Sequence, residues 1–200
     1  MNPYEKTRRL FQKNRGILTT REAKRHGIDS DCLRQMVRFG EIQRLARGIY
    51  FNALFGDYER RYVFQLQNPT CIYSHESALY LHQLVDFPPE WEEVTVPQGY
   101  NAWRIKEKVH VHWTEKKYYP LEIVTVMTPQ GNRVRAYGSE RTLCDVARAW
   151  RSYAPSFLAD VFWAYEQKAG GSFSQFFQSV ETFGCEKAME MLLRDSFPNA

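Results

Sequence analysis

Thr19-Thr20-Arg21-Glu22, then Gly27-Ile28-Asp29-Ser30, then Leu33-Arg34-Gln35-Met36-Val37-Arg38, then Arg44-Leu45-Ala46-Arg47-Gly48-Ile49-Tyr50: this succession decides the fold of the N-terminal region. Thr followed three residues later by Glu has the form of a capping box, in which the hydroxyl accepts from the backbone of the first helical turn. It predicts a short helix over about Thr20 to His26, and Gly27 supplies the stop. Asp29 or Ser30 then caps a further helix, roughly Asp31 to Phe39, that Gly40 ends. Two short helices around a Gly-containing turn form a helix-turn-helix pattern. Leu33, Met36 and Val37 recur at helical spacing and should face a core, which leaves Asp31, Arg34, Gln35 and Arg38 on the other side. Arg and Gln are the side chains whose donors and acceptors match guanine and adenine edges in the major groove.

The flanks extend the pattern. Tyr4 to Asn14 reads as a helix with Pro3 at its tolerated first position, Leu10 and Phe11 on its apolar face and Gly16 as its end. Ile17-Leu18 is a short extended pair. Glu41 to Ala46 and Ile49-Tyr50-Phe51 read as strands around the tight turn Arg47-Gly48. A hairpin directly after the second helix of the pair is the wing of a winged helix. Arg44 and Arg47 stand on and near its tip, where a wing meets phosphates or the minor groove. Thr20 and Ser30 are candidates to hold phosphate. Residues 1–61 contain 14 Lys or Arg against 7 Asp or Glu, while residues 62–200 contain 13 against 16. A basic head on a mildly acidic body suits a polyanion partner. On this reading residues 1–56 are a DNA-binding domain and 57–200 a second domain.

At this point the sequence resembles the AbiEi-type antitoxins of bacterial type IV toxin–antitoxin, or abortive-infection, systems. The resemblance rests on Gly16-Ile-Leu-Thr-Thr-Arg-Glu-Ala, on Gly27-Ile28, and on Leu33 through Gly40-Glu41-Ile42 to Leu45-Ala46-Arg47-Gly48-Ile49-Tyr50. It extends to Ser74-His75-Glu76-Ser77-Ala78-Leu79, Val94-Thr95-Val96-Pro97 and Ser139-Glu140-Arg141-Thr142-Leu143-Cys144-Asp145. It implies a winged helix on operator DNA, an autoregulated operon and a nucleotidyltransferase-like toxin as partner.

The remainder reads as an α+β domain with a mostly antiparallel sheet and C-terminal helices. Asp57 to Gln67 is a helix capped by Asp57 that bridges the two parts, with Gly56 as hinge. Strands are expected at Thr70–Tyr73, Glu93–Val96, Lys108–Trp113, Leu121–Met127 and Arg133–Tyr137. Helices are expected from Ser74 as cap to Leu84, from Ser139 as cap to about Trp150, and from Pro155 to Gly170-Gly171. Two more run from the Ser172/Gln175 capping box to Gly184 and from Cys185 to about Phe197.

Nothing in the sequence requires catalysis. Cys32, Cys71, Cys144 and Cys185 lack the close spacing of a zinc site and read as buried free thiols. His110-x-His112 sets two imidazoles on one strand face, with no third or fourth ligand evident, and reads as an exposed pair. Ser74-His75-Glu76 is contiguous, whereas a triad converges in space, so Ser74 reads as a cap. Glu140, Arg141 and Asp145 are the most suggestive cluster; an Arg–Asp bond within one helix is the favoured account. No Gly-rich phosphate loop or strand-borne Glu-x-Lys of a nuclease occurs, so neither cofactor nor metal is expected. No signal peptide or membrane span is read, so the expected setting is the cytoplasm. The chain reads as a non-enzymatic DNA-binding repressor. A DNA-targeted nuclease or transferase and a protein-interaction module are the alternatives.

Overall fold

A computed structural model describes residues 2–169 and 173–196. Two compact units divide the chain, Met1–Asn68 and Pro69–Ala200.

In the first unit, α1 (Pro3–Lys13) opens with the Asn2 side chain accepting from the Tyr4 amide and buries Thr7, Leu10 and Phe11. The extended pair after Gly16 is a true strand, β1 (Ile17–Thr19). Thr19 caps α2 (Thr20–Arg25), its Oγ1 accepting from the Glu22 amide at 3.2 Å. The Glu22 carboxylate accepts from Asn14 Nδ2 at 2.8 Å, which ties the end of α1 to α2. Asp29 caps α3 (Ser30–Arg38) by accepting from the Asp31 amide. Then come β2 (Gln43–Ala46) and β3 (Ile49–Phe51), in an antiparallel sheet of order β1-β3-β2.

Period-two alternation gives this small sheet two apolar faces. Leu18 and Tyr50 join Leu10, Phe11, Ile28, Leu33 and Met36 in the core under the helices. Ile17, Ile49 and Phe51 point the other way, where Val63, Tyr62 and Leu66 cover them. Those three come from α4 (Arg60–Gln67). Leaving side chains of this size in water would cost roughly 1.5–3 kcal/mol each. The division therefore falls after Asn68, not at Gly56, and the expected bridging helix packs inside the first unit. It starts at Arg60, and Asp57 does not cap it. Gly16 has φ +82°, and a Cβ there would stand 2.9 Å from Phe55 Cβ and 3.1 Å from the Asn52 carbonyl; only glycine fits that approach.

In the second unit, β4 (Ile72–Tyr73), α5 (His75–Leu81), β5 (Glu93–Pro97), β6 (His110–Thr114), β7 (Ile123–Met127) and β8 (Arg133–Tyr137) precede α6 (Ser139–Arg148), α7 (Pro155–Ala169), α8 (Ser174–Phe183) and α9 (Glu186–Ser196). The sheet order is β6-β5-β4-β8-β7. It is mixed rather than mostly antiparallel: β4–β8 and β5–β6 are parallel, while β4–β5 and β7–β8 are antiparallel. Alternation along a strand reports which face is buried but not which neighbour it takes. Leu79, Leu143, Val146, Leu158, Val161, Phe176, Val180 and Leu192 form one core beneath the helices. All four cysteines are free and buried.

Two expected caps are absent. Ser74 holds the N-cap position of α5 without a capping hydrogen bond, and its hydroxyl is engaged with Thr95 and His75 instead. Gly138, not Ser139, precedes α6. The Gly170-Gly171 stop, the Ser172 cap and the helix end at Phe197 lie outside the described residues.

Candidate nucleic-acid interface

Leu33 and Met36 anchor α3 in the core, with Cys32 beside them and Val37 half-buried. That anchoring turns Asp31, Arg34, Gln35 and Arg38 outward, and all four are exposed. Three of them are already engaged: Arg34 donates to Asp31 one turn earlier, and Gln35 Oε1 accepts from the Tyr4 hydroxyl of α1. Arg38 is exposed and forms no ion pair among the described residues. Ser30 is exposed too, with its hydroxyl 3.2 Å from the Asp29 carboxylate.

Gly48, at φ +75°, makes the hairpin turn. Its carbonyl accepts from the Thr20 amide at 2.8 Å, and a Cβ on it would meet Thr20 Oγ1 at 3.3 Å. Thr20 thus fastens the start of α2 to the hairpin tip and is half-buried there. Arg44 and Arg47 are exposed; Arg44 Nε donates to the Ala46 carbonyl at 3.3 Å beside the register shift in β2. Arg47 projects with no partner among the described residues.

Tyr4 and Arg8 on α1 are not legible from the sequence, because their contacts with Gln35 and Glu41 lie more than 30 residues away. Arg8 Nη2 sits 2.6 Å from Glu41 Oε2. That hydrogen bond raises the Arg8 pKa and commits its charge within the unit. Arg21, Lys24 and Arg25 add exposed positive charge along α2.

The second unit handles charge differently. The cluster Glu140–Arg141–Asp145 splits in two. Arg141 is 1% exposed, and its Nε donates to Asp145 Oδ2 at 2.9 Å, the intrahelical bond expected. Glu140 turns aside and accepts from the Tyr165 hydroxyl at 2.9 Å. Arg148 Nη1 lies 3.6 Å from the other Asp145 oxygen.

The histidine pair also differs from its expectation. Parallel pairing of β5 and β6 sets Glu93 opposite His110 and Thr95 opposite His112. The His110 and His112 nitrogens lie 3.8 and 3.7 Å from Glu93 Oε1. His110 is 60% exposed, but His112 only 35%. His112 stacks on buried His75 at 3.6 Å between ring centroids. His75, Glu93 and His112 thereby bring three potential ligand atoms within 4.8 Å of one another, a grouping that sequence order does not reveal. Burial, then the neighbouring His112, pushes the His75 pKa down to about 4. Burial pushes the Glu93 carboxyl up, but contact with His112 and the Glu76 amide outweighs it and holds the group below its usual range.

Residues 5–53 match the family described as transcriptional regulator, AbiEi antitoxin. That segment contains α1 to α3 and the hairpin, so the likeness to AbiEi-type antitoxin regulators falls on the first unit. The crystal structure of the RV2827C protein from Mycobacterium tuberculosis matches with a TM-score of 0.52 at 15% sequence identity, over 91% of this chain and 72% of that one. At that identity the likeness is one of fold. No curated protein sequence matches the chain. Among the described residues no helix is long and apolar enough to cross a membrane.

Proposed function

We propose that this chain is a DNA-binding transcriptional autorepressor and the antitoxin of a type IV toxin–antitoxin system, counteracting a nucleotidyltransferase-like toxin. The observation that carries the DNA reading is the pairing of two exposed basic elements on one framework. The polar face of α3 stands outward, and the β2–β3 hairpin is pinned to the start of α2 through Thr20 and Gly48. In this reading the first unit is a winged helix-turn-helix. Arg34, Gln35 and Arg38 read base edges from α3, and Asp31 sets the orientation of Arg34. Thr20 and Ser30 approach phosphates, and Arg44 and Arg47 reach the backbone or minor groove from the wing.

The excess of 14 basic over 7 acidic side chains in residues 1–68 supports a polyanionic partner. The family description supports regulation and antitoxin activity. We read the chain as non-catalytic, acting in the cytoplasm on operator repeats.

The test is a gel-shift titration against DNA upstream of the protein's own coding sequence. Arg34→Ala is expected to lose ~1–3 kcal/mol of affinity for that DNA and to relax its preference over unrelated sequence. Unchanged binding by Arg34→Ala and by Arg38→Ala would remove α3 from the base-reading role. Loss of binding with no change in expression from the promoter would separate DNA contact from repression.

A further inference from the structure

We propose that the second unit carries a binding pocket for a phosphate group, formed by Arg141, Arg148, Thr114 and the imidazoles of His75 and His112. These side chains line a single cavity of about 250 Å³. At ~30 Å³ of liquid volume per water, it has room for a phosphate and several waters. One buried polar atom on its lining, Arg141 Nη1, has no hydrogen-bond partner among the described residues, while His112 Nε2 faces the Glu93 carboxylate at 3.7 Å. A buried guanidinium donor left orphaned is rare in folded proteins and points to an occupant that supplies an acceptor.

The remaining contacts of Arg141 leave Nη1 aimed at that occupant. Nε is held by Asp145 at 2.9 Å and Nη2 reaches Thr114 Oγ1 at 3.4 Å. The guanidinium carbon lies over the rings of Phe183 and Tyr137, 3.9 and 4.9 Å from their centroids, a cation–π contact that uses no hydrogen-bond acceptor. Asp145 serves both Arg141 and Arg148. That shared carboxylate holds both guanidinium donors in place, while Glu93, 3.7 Å from His112, offsets the second positive charge, so the pocket's attraction for an anion rests on its positioned donors.

The same neighbourhood contains a rival, because His75, Glu93 and His112 could be read as a cation site. The ring geometry opposes it. His75 and His112 are stacked 17° from parallel, so their in-plane lone pairs run side by side rather than converge on one ion, as tetrahedral ligation needs. The hydroxyl relay opposes it as well. Thr95 Oγ1 donates to Ser74 Oγ at 2.8 Å. The buried Ser74 hydroxyl then has one acceptor among the described residues, His75 Nδ1 at 3.1 Å. That places the ring proton on Nε2 and makes His75 a donor.

Inorganic phosphate, a mononucleotide and the 5′-phosphate of a nucleic-acid strand share this chemistry. Calorimetric titration of the full chain separates them, using inorganic phosphate, adenosine monophosphate, and a 5′-phosphorylated oligonucleotide beside its unphosphorylated twin. Saturable one-site binding of inorganic phosphate is expected, and the tighter of the other two probes identifies the source. Arg148→Gln should weaken binding roughly tenfold or more and Thr114→Val several-fold, whereas Arg151→Gln, an exposed charge off the cavity lining, should leave it unchanged. Arg141→Gln removes a buried charge partner and can unfold the unit, so the Arg148 and Thr114 variants decide the outcome. Failure of every phosphate probe to saturate overturns the proposal. So does an equal loss in Arg151→Gln, which marks diffuse surface charge. Binding of Zn²⁺ that His112→Gln abolishes, with no phosphate binding, assigns the cluster to a metal instead.

Discussion

The first unit leaves the arginines of α3 and the hairpin outside, and the second buries an Arg–Asp pair and a histidine. On α3 and the hairpin, Arg34, Arg38, Arg44 and Arg47 are all exposed, and the ion pair between Arg8 and Glu41 is solvated. Such charges are screened by salt and contribute little to folding; of these, Arg38 and Arg47 have no ion-pair partner among the described residues and are available for a polyanion. In the second unit Arg141, Asp145 and His75 lie in the interior. There a guanidinium or an imidazole affects stability directly, because removing one partner strands the other away from water. One chain thus leaves these residue types exposed on α3 and the hairpin and uses them for internal order in the second unit.

The largest expected effect tests that contrast. Arg141→Ala should destabilise the second unit by about 3–5 kcal/mol in denaturant unfolding, while Arg34→Ala should leave unfolding unchanged. Equal effects would erase the distinction. Replacing both partners, Arg141→Met with Asp145→Leu, should recover much of the loss.

Next comes pH. His75 is a base whose pKa burial pushes down to about 4, whereas an unfolded histidine takes its proton near pH 6.5. Between those values the unfolded state binds more protons. Stability therefore falls as pH drops from about 6.5 toward 4, by roughly 3 kcal/mol across the window. Unfolding curves of His75→Gln should lack this dependence.

A smaller stability effect lies in the first unit's backbone. Gly16→Ala puts a Cβ at positive φ against Phe55 and Asn52 and should cost ~1–3 kcal/mol by thermal melting. Because the strain is steric, added salt should not relieve it. The smallest effect is on association. Arg47→Ala should weaken binding to all DNA sequences alike and reduce the log–log salt slope by about 0.9, the share of one phosphate contact. A sequence-dependent loss there would move Arg47 from backbone contact to base reading.

Legibility in the sequence follows the range of the interaction. The Thr19 cap, the α3 faces, the Gly48 turn and strand β8 depend on neighbours a few residues away, and the local pattern specifies each. The Arg141–Asp145 bond spans one helical turn and is legible for the same reason. The cap at Ser74 fails because Thr95, 21 residues on, competes for the same hydroxyl. His110 is exposed as expected, but His112 departs from its expected exposure because its partners come from β5 and α5, and no local pattern encodes the parallel pairing that delivers Glu93.

The sequence by itself determined the order of helices and strands, the outward polar face of α3 and the basic hairpin, since periodicity and capping are local physics. Tertiary structure alone decided that α4 belongs to the first unit, where it covers the apolar side of β1 and β3. It alone decided that the second sheet is mixed and that His75, His112, Arg141 and Arg148 share one cavity. Those outcomes depend on which surfaces bury each other, and burial is settled only when distant segments meet.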